Sequence, residues 1–267
     1  MSLLQQAPRL DGATAEALAR EGYRIDAAAT PLPSERDQNF ALRTRDGRRF
    51  VLKIANATEN RALLEAQNGA MAHVSAHADI CPRVVAAASG AEILDYRNPD
   101  GQRHFVRLLT WIDGRPLGTL ARHSPDLLCD LGAKLGQMDL LLASFDHLAA
   151  HREFHWDLAG AFGAIDQQLG LVRDAEMRAL IAATVHGIAR ESATAFERLP
   201  RSVIHGDAND HNVIVAPSNA PGEPGQSVAG LIDFGDMVHG YTVGDLSVAA
   251  AYAMLDKPDP WRRCVRS

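Results

Sequence analysis

Apolar residues recur at helical spacing in several stretches of the chain. Residues 124–147 open with Ser124-Pro125, a typical N-cap and first-turn pair, and continue with this periodicity. Residues 59–77 carry apolar side chains at roughly the same spacing: Leu63, Leu64, Ala70, Met71 and Val74. The pattern therefore predicts a helix in each of these stretches. It also predicts helices over residues 13–20, 157–170 and 174–198.

Two pairs of partly alternating runs are interrupted by turn sequences and predict β-hairpins. Asp46-Gly47 lies between residues 41–45 and 49–54, and Asp-Gly in that setting is a strong hairpin signal. Asn98-Pro99-Asp100-Gly101 separates strand-like residues 91–96 from 104–111. Residues 212–215 and 228–232 predict another strand pair, joined by a Pro- and Gly-rich linker that we expect to be mobile.

This order of elements predicts an α+β fold with two parts. Residues 1–111 read as a β-rich unit that holds one long helix, and residues 112–267 are mainly helical. A length of 267 residues supplies ample material for a core in each part.

Composition narrows the class of protein. The chain has 27 Lys and Arg against 33 Asp and Glu, a balance that argues against a protein that binds nucleic-acid backbone. The three cysteines are scattered without a CxxC motif, which favours a reducing compartment. The first twenty residues lack an apolar run, and the apolar stretch 247–255 is about half a membrane span. We therefore expect a cytoplasmic protein with no membrane or nucleic-acid partner.

The residues most informative about chemistry lie in the last third of the chain. Asp207 and Asn212 are five residues apart on a predicted loop, and Asp233 follows an apolar strand. One carboxylate that accepts a proton, with a carboxamide and a second carboxylate as hard oxygen ligands for Mg²⁺, is the minimum set for metal-assisted phosphoryl transfer. The sequence therefore predicts Asp207 as the catalytic residue and Asn212 and Asp233 as metal ligands.

Several segments resemble those of one known superfamily. They are Leu32-Pro33-Ser34 with Asp37-Gln38-Asn39-Phe40, Glu65-Ala66-Gln67-Asn68, Val106-Arg107-Leu108-Leu109-Thr110 with Gly114-Arg115-Pro116, Asn209-Asp210-His211-Asn212, and Asp233-Phe234-Gly235-Asp236-Met237 with Gly240-Tyr241. With them, residues 25–256 resemble the aminoglycoside phosphotransferase and choline kinase superfamily, and within it the hydroxylysine kinases most.

The resemblance implies a protein-kinase-like, two-lobed fold, with residues 1–111 as the nucleotide-binding lobe and 112–267 as the lobe with the catalytic and metal-binding loops. It implies transfer of the γ-phosphoryl group of GTP or ATP to a hydroxyl of a small amino alcohol or hydroxy amino acid, with 5-hydroxy-L-lysine as the leading acceptor. We expect Lys53, Asp207, Asn212 and Asp233 to converge around one magnesium-bound triphosphate.

The resemblance also assigns the remaining nucleotide-binding residues. Lys53 would neutralise the phosphates, and Glu65 on the following helix would pair with it, with Glu59 as a weaker alternative. The Gly-rich loop of protein kinases is absent, and the turn from Ser34 to Asn39 would cover the phosphates in its place.

An acceptor that carries an ammonium group calls for carboxylates or aromatic faces. Asp210, Asp236 and Trp156 are the candidates, with Asp157 beside them. By fold analogy Asp245 is expected to be structural and to tie a helix to the catalytic loop, and His205 is expected to support that loop rather than act as a base.

Three histidines in residues 147–155 could form either a metal site or a stripe of histidines on the surface. His147, His151 and His155 recur every four residues and would share one face of a continuous helix. No cysteine accompanies them and the surrounding residues are polar, so we interpret them as a histidine stripe on the surface.

The C-terminal end departs from the resemblance. Similar kinases continue for several helices after the stretch around Asp245, so we expect the C-terminal lobe to be incomplete. The alternatives are truncation, a frameshift in the gene, and excision from a longer polypeptide. A pyridoxal-phosphate-dependent aminotransferase-like domain is one expected fusion partner. Two alternative functions stay open: a non-catalytic nucleotide-binding module, and an aminoglycoside or other amino-alcohol phosphotransferase.

Overall fold

A computed structural model describes residues 7–34, 36–217 and 226–255. The α-helices are α1 (Gly12–Tyr23), α2 (Arg61–Ser75), α3 (Pro125–Leu142), α4 (Ala161–Gln168), α5 (Ala175–Phe196) and α6 (Val243–Met254). The strands are β1 (Ala27–Leu32), β2 (Gln38–Thr44), β3 (Arg49–Ile54), β4 (Val84–Val85), β5 (Leu94–Arg97), β6 (Arg103–Thr110), β7 (Arg115–Pro116), β8 (Arg201–Ile204), β9 (Val213–Pro217), β10 (Gln226–Leu231) and β11 (Val238–Tyr241). The predicted α+β class is confirmed.

The strands form three sheets. The largest runs in the order β1-β2-β3-β6-β4, with β5 also paired to β6. A three-stranded sheet has the order β10-β9-β7, and β8 pairs with β11. The pairings for which the register is defined are antiparallel.

The chain divides into two compact units. Residues 1–114 and 229–232 form the first, and residues 115–228 and 233–267 form the second, as far as they are described. The first unit contains the large sheet together with α1 and α2, and its core includes Phe40, Leu52 and Leu108, all fully buried.

Both predicted hairpins of the first unit are present. β2 and β3 pair with Arg43 opposite Arg49, and Gly47 between them has φ +88°, a conformation that glycine adopts without a steric penalty. β5 and β6 pair with Arg97 opposite Arg103, and Gly101 in their turn has φ +82°.

The helix starts follow local capping chemistry. Asp11 accepts a hydrogen bond from the Thr14 N–H at the start of α1, and Asn60 accepts one from Ala62 N–H at the start of α2. Ser124 caps α3 as predicted, but α3 ends at Leu142, five residues before the predicted end. Residues 143–147 leave the helix although their apolar spacing resembles that of the helix before them.

In the second unit, predicted helices and strands appear with shifted bounds. The helix predicted over 157–170 is broken into 3₁₀ turns at Leu158–Gly160 and Leu169–Leu171 around α4. The strand pair β9 and β10 is present, whereas most of the predicted linker between them and the residues after 255 lie outside the described residues. Across the described parts of the chain, no helix is long and apolar enough to cross a membrane.

Candidate active site

The loop from His205 to Asn212 follows β8 and is anchored to α6. Asp245, in the first turn of α6, is 0% exposed. Its Oδ2 accepts a hydrogen bond from the His205 N–H at 2.8 Å and its Oδ1 accepts one from the Gly206 N–H at 2.7 Å. The predicted structural role of Asp245 is confirmed. His205 also supports the loop, since its Nδ1 accepts from the Asp207 N–H at 3.3 Å.

Two amide side chains hold the carboxylate of Asp207. Asn209 Nδ2 donates to Asp207 Oδ1 at 2.8 Å, and Asn212 Nδ2 donates to Oδ2 at 2.7 Å. Asn209 Oδ1 in turn accepts from the N–H groups of His211 and Asn212 at 2.8 and 3.0 Å. Asn209 is thus the residue that closes the loop around Asp207, a role that the sequence reasoning missed.

The electrostatic surroundings of Asp207 disfavour its charged form. Burial raises the pKa of the Asp207 carboxyl, and the charges of Asp236 and Asp233 raise it further, while His205 and the hydrogen bond from Asn209 oppose the shift. A carboxylate with a raised pKa is a better proton acceptor than an ordinary exposed aspartate.

Asp233 enters the same surroundings from the segment after β10. Its backbone is left-handed (φ 66°), and its Oδ1 accepts from the Gly235 N–H at 3.2 Å at the start of the 3₁₀ turn Phe234–Asp236. Gly206 lies directly against this turn, because a Cβ placed on Gly206 would come within 2.5 Å of the Asp236 carbonyl oxygen. The structure therefore brings Asp207, Asn212, Asp233 and Asp236 into one electrostatic cluster.

The donor set of this cluster fits a hard divalent cation. Both bonds from Asn212 to Asp207 use the amide nitrogen, so the amide oxygen keeps its acceptor capacity. The Asn212 amide oxygen and the Asp233 carboxylate are the kind of oxygen groups that Mg²⁺ prefers, and this ion typically completes its shell with waters and phosphate oxygens. Among the described residues, no group of three or more His, Cys, Asp or Glu side chains could hold a metal without such help.

Lys53 lies in the first unit, near the end of β3. It is 8% exposed, and the antiparallel register places it between Asn39 on β2 and Arg107 on β6. Asn39 Oδ1 is buried and has no hydrogen-bond partner within the described part of the chain. Two cations and an amide thus occupy adjacent positions across three strands of the sheet.

The helix α2 uses its polar residues differently from the prediction. Glu65 is on the exposed side, with 50% of its side chain accessible, and accepts from Arg61 Nε at 2.9 Å. Gln67 and Asn68 are buried, and their side-chain oxygens accept from Arg107 at 2.8 and 2.9 Å. The pairing of Glu65 with Lys53 stays a prediction.

The turn that contains Ser34 is tied to the end of β3. Ser34 itself is exposed. Asp37 Oδ1 accepts from the Asn56 N–H at 3.0 Å, and Asn56 Nδ2 donates to the Arg36 carbonyl oxygen at 3.1 Å. Asn56, which is buried, fixes this turn, and its position outside any recognisable motif explains why the sequence reasoning missed it.

Residues 28–263 match the model of the APH family, described as the phosphotransferase enzyme family. The chain belongs to this family. It is 29% identical over 257 residues to hydroxylysine kinase of Mus musculus, with 90% of this chain and 67% of the relative covered. It is also 29% identical to hydroxylysine kinase of Xenopus laevis, of which it covers 66%. The chain thus spans about two thirds of the length of these relatives.

Solved structures show the same fold. A microcompartment-associated aminopropanol kinase superposes with a TM-score of 0.72 at 18% identity, covering 95% of this chain and 78% of that one. An amicoumacin kinase in complex with AMP-PNP and Ca²⁺ superposes with a TM-score of 0.66 at 16% identity, covering 92% and 70%. The predicted kinase-like fold is confirmed.

The acceptor candidates of this APH-family chain lie in different settings. Trp156 is 66% exposed and, with Asp157 and Asp236, lines a small cleft beside Gly206. Asp157 also caps the 3₁₀ turn after it by accepting from the Ala159 N–H. Asp210 lies away from this lining, against Gly118, whose N–H donates to the Asp210 carbonyl oxygen at 2.8 Å.

The histidine stripe does not lie on one helix. α3 ends before His147, which caps the 3₁₀ turn Leu148–Ala150 instead. The His151 ring stacks on His239 at 4.2 Å and its Nε2 contacts Asp146. The three histidines therefore share no helical face, because α3 ends at Leu142.

Proposed function

We propose that the chain is a small-molecule kinase that transfers the γ-phosphoryl group of GTP or ATP to the hydroxyl of an amino-containing metabolite, with 5-hydroxy-L-lysine as the leading acceptor. The observation that carries this proposal is the Asp207 carboxylate, held by Asn209 and Asn212 and surrounded by the charges of Asp233 and Asp236. The relatives named hydroxylysine kinase support the acceptor.

Asp207 would orient the acceptor hydroxyl and accept its proton. The hydroxyl oxygen forms a bond to the γ-phosphorus, the bond from that phosphorus to the bridging oxygen breaks, and a nucleoside diphosphate leaves. The hydrogen bonds from Asn209 and Asn212 fix the carboxylate before the acceptor arrives, so little reorganisation is needed at the moment of transfer.

Asn212 and Asp233 would hold Mg²⁺ through their side-chain oxygens. When bound, the ion neutralises phosphate charge and supports the leaving diphosphate. Lys53 would add a fixed positive charge on the nucleotide phosphates, while Ser34 and Asn39 would contribute polar groups. Asn39 is opposite Lys53 in the register of β2 and β3, which supports a place for it near the same phosphates.

The acceptor's ammonium group would meet Asp236 and the face of Trp156. Both line a narrow cleft of about 10 Å³ beside Gly206, the residue directly before Asp207. The ammonium group would therefore lie at the mouth of this cleft, because its interior has room for little more than one water. A carboxylate and an exposed indole are the groups that recognise an alkylammonium. Asp210 is the weaker candidate because its carboxylate lies against Gly118.

A panel of acceptors tests the proposal. The purified chain is incubated with Mg²⁺, either GTP or ATP, and each of 5-hydroxy-L-lysine, L-lysine, 1-amino-2-propanol and kanamycin, and phosphorylated products are measured by mass spectrometry. We expect product from 5-hydroxy-L-lysine and none from L-lysine, which lacks the hydroxyl. Product from kanamycin alone would favour an antibiotic-modifying function instead.

Two aspartate variants make the assay specific to the loop. Asp207→Asn should lower the rate of product formation by about 10²- to 10⁴-fold, while nucleotide binding, measured by thermal shift, is retained. Asp126→Asn, an exposed position in the first turn of α3, is the matched control and should leave both unchanged. Nucleotide binding by the wild-type chain without transfer to any acceptor would support the non-catalytic alternative.

A further inference from the structure

Two carboxyl groups from different helices meet beneath the loop that carries Asp207. Asp245 on α6 uses both of its oxygens to accept backbone hydrogen bonds from His205 and Gly206. Asp139, on α3, is the second member of the pair. Asp139 has no part in the phosphoryl transfer proposed for Asp207.

Asp139 is in an unfavourable position for a charged group. Its Oδ1 is buried and has no hydrogen-bond partner within the described residues. Burial and the neighbouring Asp245 charge together raise the pKa of the Asp139 carboxyl to about 8. Two ionised carboxylates here would repel each other in a poorly solvated space, and each acts only as an acceptor.

In the described part of the chain, no cation is among the groups that shift the pKa of Asp139. α6 contributes Asp245 itself, and β8 contributes Ser202, Val203 and Ile204 and is followed by His205. The charged residue of β8, Arg201, is exposed and lies over the Tyr241 ring. The His205 ring packs edge-on against Phe234, with its Nδ1 turned to the Asp207 N–H. Within the described chain, Asp245 is the charged group that acts on Asp139.

A proton on Asp139 removes both the repulsion between the two carboxylates and the lack of a hydrogen-bond partner for Asp139. The protonated carboxyl donates an O–H to Asp245, which removes the repulsion and gives Asp139 a partner. Both oxygens of Asp245 continue to accept from the loop backbone.

We propose that Asp139 and Asp245 share one proton at neutral pH, and that Asp139 is a positioning residue that acts on Asp207 through Asp245 and the backbone of His205 and Gly206. The shared proton is independent of the proposed kinase activity. The effect on turnover rests on that activity.

The raised pKa of Asp139 makes the stability of the folded chain depend on pH. The folded chain keeps the Asp139 proton up to about pH 8, whereas an unfolded aspartate loses it near 3.8. The folded state therefore binds more protons over this interval, and the contribution of Asp139 to stability declines as pH rises through it. Asn at this position keeps a neutral donor and cannot titrate.

Thermal unfolding of the full chain tests the shared proton without any substrate. Wild type and Asp139→Asn are compared between about pH 5 and about pH 9. As pH rises over this range, the unfolding midpoint of the variant should increase relative to that of wild type by at least about 2 °C. Parallel curves over the whole range would overturn the inference. Infrared spectroscopy at neutral pH should also show a protonated carboxyl band that Asp139→Asn removes, and its presence in both proteins would count against the assignment.

Turnover on the best acceptor tests the positioning role. The wild-type kcat should fall above about pH 8, kcat of Asp139→Asn should stay level there, and Asp139→Ala should show a lower kcat that Asn restores. The same fall in kcat above about pH 8 in wild type and Asp139→Asn would refute the positioning role of Asp139. If the unfolding and infrared results hold but no acceptor is phosphorylated, the shared proton stands and the proposed kinase function fails.

Discussion

The catalytic loop and the segment that carries Trp156 differ in how they are held. In the loop, Asp207 is fixed by two asparagine side chains, and the backbone before it is fixed by Asp245. Trp156, in contrast, is 66% exposed, and the next apolar residue, Leu158, is 47% exposed. The groups proposed for chemistry are thus positioned in advance by the fold, whereas those proposed for the acceptor are arranged more openly.

Removing the anchor of the loop should have the largest effect. Asp245→Ala leaves the N–H groups of His205 and Gly206 without their acceptor, at a cost of about 1–3 kcal/mol for the buried His205 N–H and less for the partly buried Gly206 N–H. Urea unfolding measures the change, with the exposed Asp126→Ala as the control. A stability equal to wild type would show that the loop is not anchored in this way.

A substitution at Gly206 separates close packing from backbone strain. Gly206 (φ +82°) lies against the Asp236 carbonyl oxygen, whereas Gly47 (φ +88°) has open space around the same position. Gly47→Ala should cost about 1–2 kcal/mol from the left-handed backbone alone. Gly206→Ala should cost more and should also lower turnover. Equal unfolding free energies for the two variants would exclude a close-packing role.

A substitution in the exposed segment that carries Trp156 should change acceptor binding rather than stability. Trp156→Ala should raise KM for an ammonium-bearing acceptor by about 2- to 30-fold, the range of a cation–π contact, with little change in stability. Leu171→Ala, another exposed apolar residue at 75%, is the control. An unchanged KM would remove Trp156 from the acceptor site.

The smallest expected effect concerns the charge of Asp236. Because the pKa of Asp207 is raised in the folded chain, its contribution to stability falls as pH rises above the ordinary aspartate value of 3.8. Asp236→Asn removes one cause of the shift and should flatten that decline. Midpoints of thermal unfolding without magnesium, measured from about pH 4 to about pH 7, test this. An identical slope in both proteins would contradict it.

Local chemistry explains which elements could be predicted. The Asp46-Gly47 hairpin and the Ser124 cap depend on residues adjacent in sequence, so their patterns are visible in the chain. The spacing of Asp207 and Asn212 likewise predicts a shared loop, which the structure confirms as a direct hydrogen bond.

Contacts between distant segments could not be predicted in the same way. Asp139 is one polar position on an amphipathic helix, and its burial beside Asp245 depends on how α3 and α6 pack. The end of α3 at Leu142 also depends on tertiary structure, because apolar spacing continues past it. Exposure of Glu65 beside the buried Gln67 and Asn68 follows from the orientation of α2 rather than from the motif.

The most direct test of the account is the rate of γ-phosphoryl transfer to the best acceptor by wild type and Asp207→Asn. Single-turnover assays with saturating nucleotide and Mg²⁺ would follow the phosphorylated product by mass spectrometry. The account predicts a loss of about 10²- to 10⁴-fold in the variant, with nucleotide affinity retained. Transfer at the wild-type rate by Asp207→Asn would contradict it.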